Sequence, residues 1–396
     1  MGNEQGLLSQ LQPIETDSLL RLIAMAMADE RPDKIDVGVG VYRSSNGATP
    51  ILSAVKKAEA LLHERQETKS YLGMKGDTRY AELLKPIVFG DELAGDERIF
   101  SLQTPGGCGA LTLAFKLVKA ARPDARVLVG TPTWANHEPI IKGAGLKIVR
   151  YPYYLKDERR IDFDAMMEAM DAAEPGDVAL LHGCCHNPTG ADLDAGQWAK
   201  LRAKIADKGI LAVVDIAYQG LGDGIDEDAA GLRGLVSACD EIIVAQSCDK
   251  NFGVYRDRVG CLFFKTADES QGKIAMDHVM QIAREMWSMP PDHGAAVVRT
   301  VLDDEKLRAE WLDELEIMRG RINDLRKRIA AKDPRLAYIA EQKGMFSMLP
   351  LTPAQVDGLR EKYAIYMADS GRFNVVGMGD HDVDRFAAAV LEAMDG

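Results

Sequence analysis

From residue 48 to about residue 330, short apolar runs alternate with stretches in which apolar residues recur at steps of three and four. The runs at 127–129, 146–151, 178–181, 210–214, 242–245 and 259–264 have the length and β-branched content of buried strands. Between them, Leu111, Ala114, Phe115 and Val118 share one helical face. Trp198, Leu201 and Ile205 share another, and Gly209 ends that helix. Strand and helix in alternation predict a mostly parallel sheet covered on both faces. Sites in such sheets lie beyond the carboxyl ends of the strands, which directs attention to the residues after 214 and 245.

Further on, Leu307, Trp311, Leu315, Met318, Ile322, Leu325 and Ile329 predict one long helix, in which Gly320 permits a bend. After Pro334 the pattern is mixed, with strand-like runs at 363–366 and 373–376 and a last helix over 382–394. The expected architecture is α/β: a three-layer large domain over 48–315, and a smaller α+β domain built from both chain ends, 1–47 and 316–396. There are no internal repeats.

A chain of 396 residues is too long for one ordinary core, which agrees with that division. Its 46% hydrophobic and 28% charged residues are the balance of a soluble globular protein. With 48 basic against 61 acidic residues the net charge is −13, which excludes non-specific binding to nucleic acid or an anionic membrane. A local basic pocket for an acidic small molecule remains open. No apolar stretch reaches the roughly 20 residues needed to span a bilayer, and residues 1–12 lack the pattern of a secretory leader. The six cysteines form no spaced pairs, which favours free thiols and a cytoplasmic location. Cys184-Cys185-His186 has no second cluster at zinc spacing, so packed thiols are expected there.

Five local signals carry candidate chemistry. Lys250, in Ser247-Cys248-Asp249-Lys250-Asn251-Phe252-Gly253, follows a buried run, and scarce water there favours the neutral amine a Schiff base needs. Arg258 lies eight residues on. Thr104-Pro105-Gly106-Gly107-Cys108-Gly109 is a glycine-rich turn opening a helix, suited to cradling an anion. Trp134 offers a flat face just after a strand. His182-Gly183-Cys184-Cys185-His186-Asn187-Pro188-Thr189-Gly190 fixes an amide at the active end of the sheet. Asp215 ends an apolar run, where a carboxylate is costly unless a cation accompanies it. Each has an ordinary reading alone, as turn, core residue, cap or surface lysine. Together, a Schiff-base lysine, a carboxylate for a cationic ring nitrogen, a stacking face and a phosphate cradle specify pyridoxal 5'-phosphate.

With these residues in place, the chain resembles a fold-type I pyridoxal-phosphate enzyme of the class I, aspartate/aromatic-amino-acid aminotransferase family. The likeness runs from Lys34-Ile35-Asp36-Val37-Gly38-Val39-Gly40 to Ser370-Gly371-Arg372-Phe373-Asn374, and the Asn187 and Asp215 motifs are specific to that family. The resemblance implies that Lys250 holds the cofactor and shuttles the proton, and that Asp215, backed by His137, pairs with the ring nitrogen. It implies that Tyr218 and Asn187 bond the phenolic oxygen and that Trp134 stacks on the ring. Gly107, Cys108, Ser247 and Arg258 would hold the phosphate, joined by Tyr71 from a second subunit of a homodimer. Arg372 would clamp the substrate α-carboxylate beside the Gly40 backbone, with Trp134 and Asn187 also facing substrate. Arg284, also donated across the dimer, would take a distal carboxylate.

Two departures stand out. The family usually carries a small hydroxyl residue where this chain has Asp249, and another where it has Cys108. A carboxylate about 5 Å from a phosphate costs roughly 3 kcal/mol per unit of phosphate charge at an effective dielectric near 20. Asp249 is therefore expected to turn away, or to weaken cofactor retention. Trp287 and Met289, near Arg284, are more apolar than a strict aspartate enzyme suggests, so aromatic and acidic amino acids are both expected as substrates, with 2-oxoglutarate as acceptor. Val39, Trp287 and Met289 are the expected apolar walls. The alternatives are a strict aspartate aminotransferase, another reaction of the same cofactor, and a non-catalytic binding or regulatory protein. The last would have lost Lys250 or Asp215, and both are present.

Overall fold

The six apolar runs fold as strands of one seven-stranded sheet in the computed structural model, which describes residues 7–13 and 18–395. The strands are β1 (Ile99–Pro105), β2 (Arg126–Thr131), β3 (Lys147–Pro152), β4 (Val178–His182), β5 (Leu211–Ile216), β6 (Ile242–Ser247) and β7 (Val259–Lys265). Their order is β1-β7-β6-β5-β4-β2-β3. All neighbouring pairs are parallel except those of β7, which runs antiparallel to β1 and β6. The start of β7 therefore lies at the carboxyl edge of the other strands.

β1 has no counterpart among the sequence-predicted strands. Its apolar residues are interrupted by Ser101, Gln103 and Thr104, and the last two are buried because they have partners. Gln103 Oε1 accepts from Asp77 N–H at 2.7 Å, its Nε2 donates to Pro291 O at 2.7 Å, and the Thr104 hydroxyl donates to Gly106 O at 3.0 Å. Satisfied polar groups like these hide a buried strand from a hydrophobic pattern.

Side chains alternate across the sheet, so Val213 joins the core on one face while Ala212 and Val214 join the other. The first face is covered by the helix Gly106–Ala121 through Leu111, Ala114, Phe115 and Val118. The second is covered in part by the helix Ala195–Lys208 through Leu201 and Ile205. That helix begins in an Asp194–Gln197 capping box and ends at Gly209, whose φ of 62° is left-handed. These two cores make the expected three layers.

The long helix, Glu305–Ala330, runs without a break at Gly320 and buries all seven predicted apolar residues. Trp311 stacks on Phe252 at 4.3 Å, and its indole N–H donates to Asn251 O at 2.8 Å. The long helix thus braces the loop that carries Lys250. The two chain ends meet where Ile35–Asp36 pairs in parallel with Ile365–Tyr366. Close by, Phe346–Met348 pairs antiparallel with Arg372–Asn374. Asn374 Nδ2 then donates to Val39 O at 2.8 Å and Val41 O at 2.7 Å, fixing the loop of Gly40 beside the strand of Arg372. The run expected at 373–376 is shorter, because residues 375–377 turn into a single 3-10 turn. The last helix is Val383–Asp395. All six cysteines are free. Among the described residues, no helix is long and apolar enough to cross a membrane. Of the segment read for a secretory leader, residues 1–6 lie outside the described residues.

Candidate active site

Loops from the carboxyl ends of β2, β4, β5 and β6 converge with the start of the helix Gly106–Ala121 and the start of β7. They enclose a cavity of about 250 Å³. Lys250 lies three residues beyond β6, a strand buried at every position. Its Nζ is 5.3 Å from the centre of the Tyr218 ring and has no hydrogen-bond partner among the described residues.

Asp215 is the penultimate residue of β5, in register with His182 of β4 and Ala245 of β6. It is buried, and its Oδ2 accepts from His137 Nε2–H at 3.0 Å. Burial alone would raise its pKa, but the His137 bond and the field of His137 outweigh it and hold the carboxyl below its usual range. The Thr133 hydroxyl links His137 Nδ1 (2.7 Å) to His182 Nε2 (2.9 Å). Burial, then His137, lowers His182 to about 3, so it is neutral. His182 stands in a motif marked in the sequence and Thr133 immediately before Trp134, but nothing in the sequence joined them.

Burial first, and then Asp215, pushes the Tyr218 hydroxyl above its ordinary value, which keeps it a neutral donor. Beside it in the wall is Asn187, whose Oδ1 is buried without a hydrogen-bond partner. A buried orphan acceptor is costly unless a bound group supplies a donor. Trp134 and Cys108 line the same cavity, and Asn136 Nδ2 donates to Cys108 Sγ at 3.7 Å.

The glycine-rich turn becomes the start of the helix Gly106–Ala121, which has no side-chain cap, so its first N–H groups are open to an anion. Neighbours press closely on it. A Cβ on Gly106, which has φ 66°, would lie 2.6 Å from Arg258 Nη2 and 3.1 Å from Asp249 Oδ2. One on Gly107 would lie 3.3 Å from Ser247 Cβ, and one on Gly260 would lie 2.6 Å from the carbonyl carbon of Gly106. Arg258 reaches the cradle because β7 starts at this edge, and it adopts a left-handed backbone, φ 56°. Asp249 does not turn away, as one expectation had it. It is 1% exposed, its Oδ2 is ion-paired with Arg258, and its Oδ1 accepts from Val259 N–H at 3.0 Å.

Across the cavity, the Arg372 guanidinium lies 4.8 Å from the centre of the Phe346 ring and donates from Nη2 to Gly38 O at 2.7 Å. A Cβ on Gly40 would stand 2.8 Å from Phe346 Cζ, so a side chain there would press on the Phe346 ring. Phe346, Leu19, Leu111 and Tyr255 also line the cavity; the sequence marked Leu111 only as part of a helical face and did not mark the other three. Tyr71, which is 90% exposed, and Arg284, exposed on the helix Glu269–Trp287, lie outside it. Val39, Trp287 and Met289 also lie outside, so within this chain the apolar lining is supplied by Leu19, Leu111 and Phe346 instead. Leu72 N–H donates to Met289 Sδ at 3.2 Å, which sets the Tyr71 loop against the end of the Arg284 helix.

A cation beside an open helix start, a buried charged carboxylate, an orphan amide oxygen with a neutral phenol, and a lysine amine together suit pyridoxal phosphate, group by group.

The sequence model for aminotransferase class I and II matches residues 32–390. A tyrosine aminotransferase of Rhizobium meliloti (strain 1021) is 46% identical, over 91% of this chain and 94% of that protein. An aspartate aminotransferase of Escherichia coli (strain K12) is 41% identical, over 96% and 98%. Among solved structures, an aromatic-amino-acid aminotransferase from Burkholderia pseudomallei covalently bound to pyridoxal phosphate superposes with a TM-score of 0.95 at 35% identity, covering 98% of this chain and 100% of that one.

Proposed function

The chain belongs to the class I and II aminotransferases, a pyridoxal-phosphate enzyme that transfers amino groups, and we propose that it serves both aromatic and acidic amino acids from the cavity around Lys250. The observation that carries this reading is one cavity lined by both an arginine and apolar side chains: Arg372 beside Phe346, with Leu19 and Leu111 also in its lining. An amino acid's carboxylate meets a bidentate fork at Arg372, and an aromatic side chain meets an apolar surface. 2-Oxoglutarate, a dicarboxylate, fits the same arginine as amino acceptor.

When bound, the cofactor supplies an electron sink for the bond being broken at the substrate's Cα. In our reading its phosphate rests on the N–H groups at Gly107 and Cys108, on Ser247 and on Arg258. Asp215 keeps its charge against the ring nitrogen because His137 holds it ionised. The Asn187 side-chain amide and the Tyr218 hydroxyl would face the phenolic oxygen, and Trp134 would cover the ring. Lys250 Nζ would anchor the cofactor, and its free amine would take the proton from the substrate's Cα. Arg372 orients the substrate, with the Gly40 backbone beside it, so that this proton faces Lys250.

Tyr71 and Arg284 enter this scheme from a second copy. Their exposure on one shared face supports a homodimer with active sites completed across the interface. The free cysteines support a reducing, cytoplasmic setting. The pairing of residues 35–36 with 365–366 supports a small domain built from both ends, 1–47 and 316–396, against a large one over 48–315.

The test is to compare kcat/KM for aspartate, phenylalanine and tyrosine on purified holoenzyme, identifying each keto acid. Values within about a hundredfold of one another support dual use. Aromatic substrates slower by more than about a thousandfold, a difference of about 4 kcal/mol, would leave a strict aspartate enzyme.

A further inference from the structure

The phosphate cradle described above contains its own anion. Asp249 is almost fully buried, yet it points into the site: its Oδ2 is paired with Arg258, and the same oxygen lies 3.1 Å from where a side chain on Gly106 would begin. Arg258, whose side chain is 43% exposed, thus has a buried carboxylate partner on its inner side. The arrangement is fixed from both ends. Asp249 Oδ1 is held by Val259 N–H at 3.0 Å, and Arg258 Nη1 also donates to Tyr255 O at 3.1 Å.

We propose that Asp249 is an internal competitor for Arg258, so that this enzyme holds its cofactor's phosphate loosely and exchanges cofactor with solution. This rests on the reading of the Gly106–Arg258 region as the phosphate site. Two consequences follow from charge alone. A phosphate arriving at the helix start meets an arginine already neutralised, so the site offers it less net positive charge than the same cradle without a carboxylate. To take a full share of Arg258, the phosphate must also draw the guanidinium from Asp249, leaving a buried carboxylate with one fewer partner. Neither cost exists with a neutral side chain at 249. The fraction of enzyme carrying cofactor then follows the free cofactor concentration.

Two substitutions separate charge from shape. Asp249→Asn keeps an oxygen for Val259 N–H and removes the charge, while Asp249→Ser removes both the charge and most of the side chain. Apoprotein of wild type and both variants is titrated with inorganic phosphate by calorimetry, which does not involve Lys250, and with pyridoxal phosphate by visible absorption. Both variants are expected to bind phosphate and cofactor at least about tenfold more tightly, and to release cofactor more slowly on dilution. Affinities within twofold of wild type would overturn the proposal. Weaker binding in both variants would also overturn it, by making Asp249 a support of the cradle. If no form gains the absorption of lysine-bound cofactor, the reading of the site fails instead, and the two failures are distinguishable.

Discussion

In the proposed scheme the chemistry turns on Asp215, because a buried carboxylate keeps its charge only if something nearby favours it. Here His137 does so, at 3.0 Å, against the opposing effect of burial. Asp215→Asn keeps the shape and a hydrogen-bonding group but removes the charge that would face the ring nitrogen. We expect kcat to fall by about a hundredfold or more, with Lys250 still able to anchor the cofactor and the far-ultraviolet spectrum unchanged. A kcat within threefold of wild type would remove Asp215 from the role. At this scale the sequence was informative where a reactive residue sits at or within a few residues of a strand's carboxyl end: Asp215, Lys250 and Asn187 all line one cavity. It was silent on direction. Nothing local distinguishes an Asp249 facing solvent from one facing Arg258, because that depends on β7, a separate element.

Elements decide what the cradle can hold. β7 runs against its neighbours, which brings Arg258 to the same edge as Lys250 and presses Gly260 against the turn at Gly106. A methyl group at 260 would meet the Gly106 carbonyl carbon at 2.6 Å and Gln246 O at 2.7 Å, contacts that only backbone movement relieves. Gly260→Ala is therefore expected to lower stability by about 1–3 kcal/mol and to weaken phosphate binding in a calorimetric titration. Normal phosphate affinity in a folded variant would show that the cradle does not depend on this packing. The apolar run at 259–264 identified the strand but not its sense, since strand direction leaves no mark on hydrophobic pattern. β1 escaped for a different reason: Gln103 and Thr104 are buried with their hydrogen bonds satisfied, which breaks the apolar pattern without exposing the strand.

Over the whole molecule, the long helix holds the Lys250 loop through Trp311 and Phe252 and both chain ends through Arg321, which donates to Arg43 O at 3.2 Å and Met378 O at 3.0 Å, so the arginine side and the lysine side of the cavity share one frame. The strand–helix alternation made the three layers legible, while the small unit proposed from both ends rests on the pairing of residues 35–36 with 365–366. What one chain leaves outside the cavity are Tyr71 and Arg284, whose proposed roles require a second copy. Co-expressing Lys250→Ala with Arg284→Ala tests this. Each variant alone should be nearly inactive toward aspartate, while a random mixture should regain about a quarter of wild-type activity, because half the dimers carry one intact site of two. No recovery in verified hybrids would mean that Arg284 serves its own subunit or none. The proposed chemistry requires that the cofactor be bonded to Lys250. Holoenzyme reduced with borohydride, digested and read by mass spectrometry should carry the cofactor on the peptide containing Lys250 and on no other lysine. Finding the cofactor on a different lysine, or on none, would contradict it.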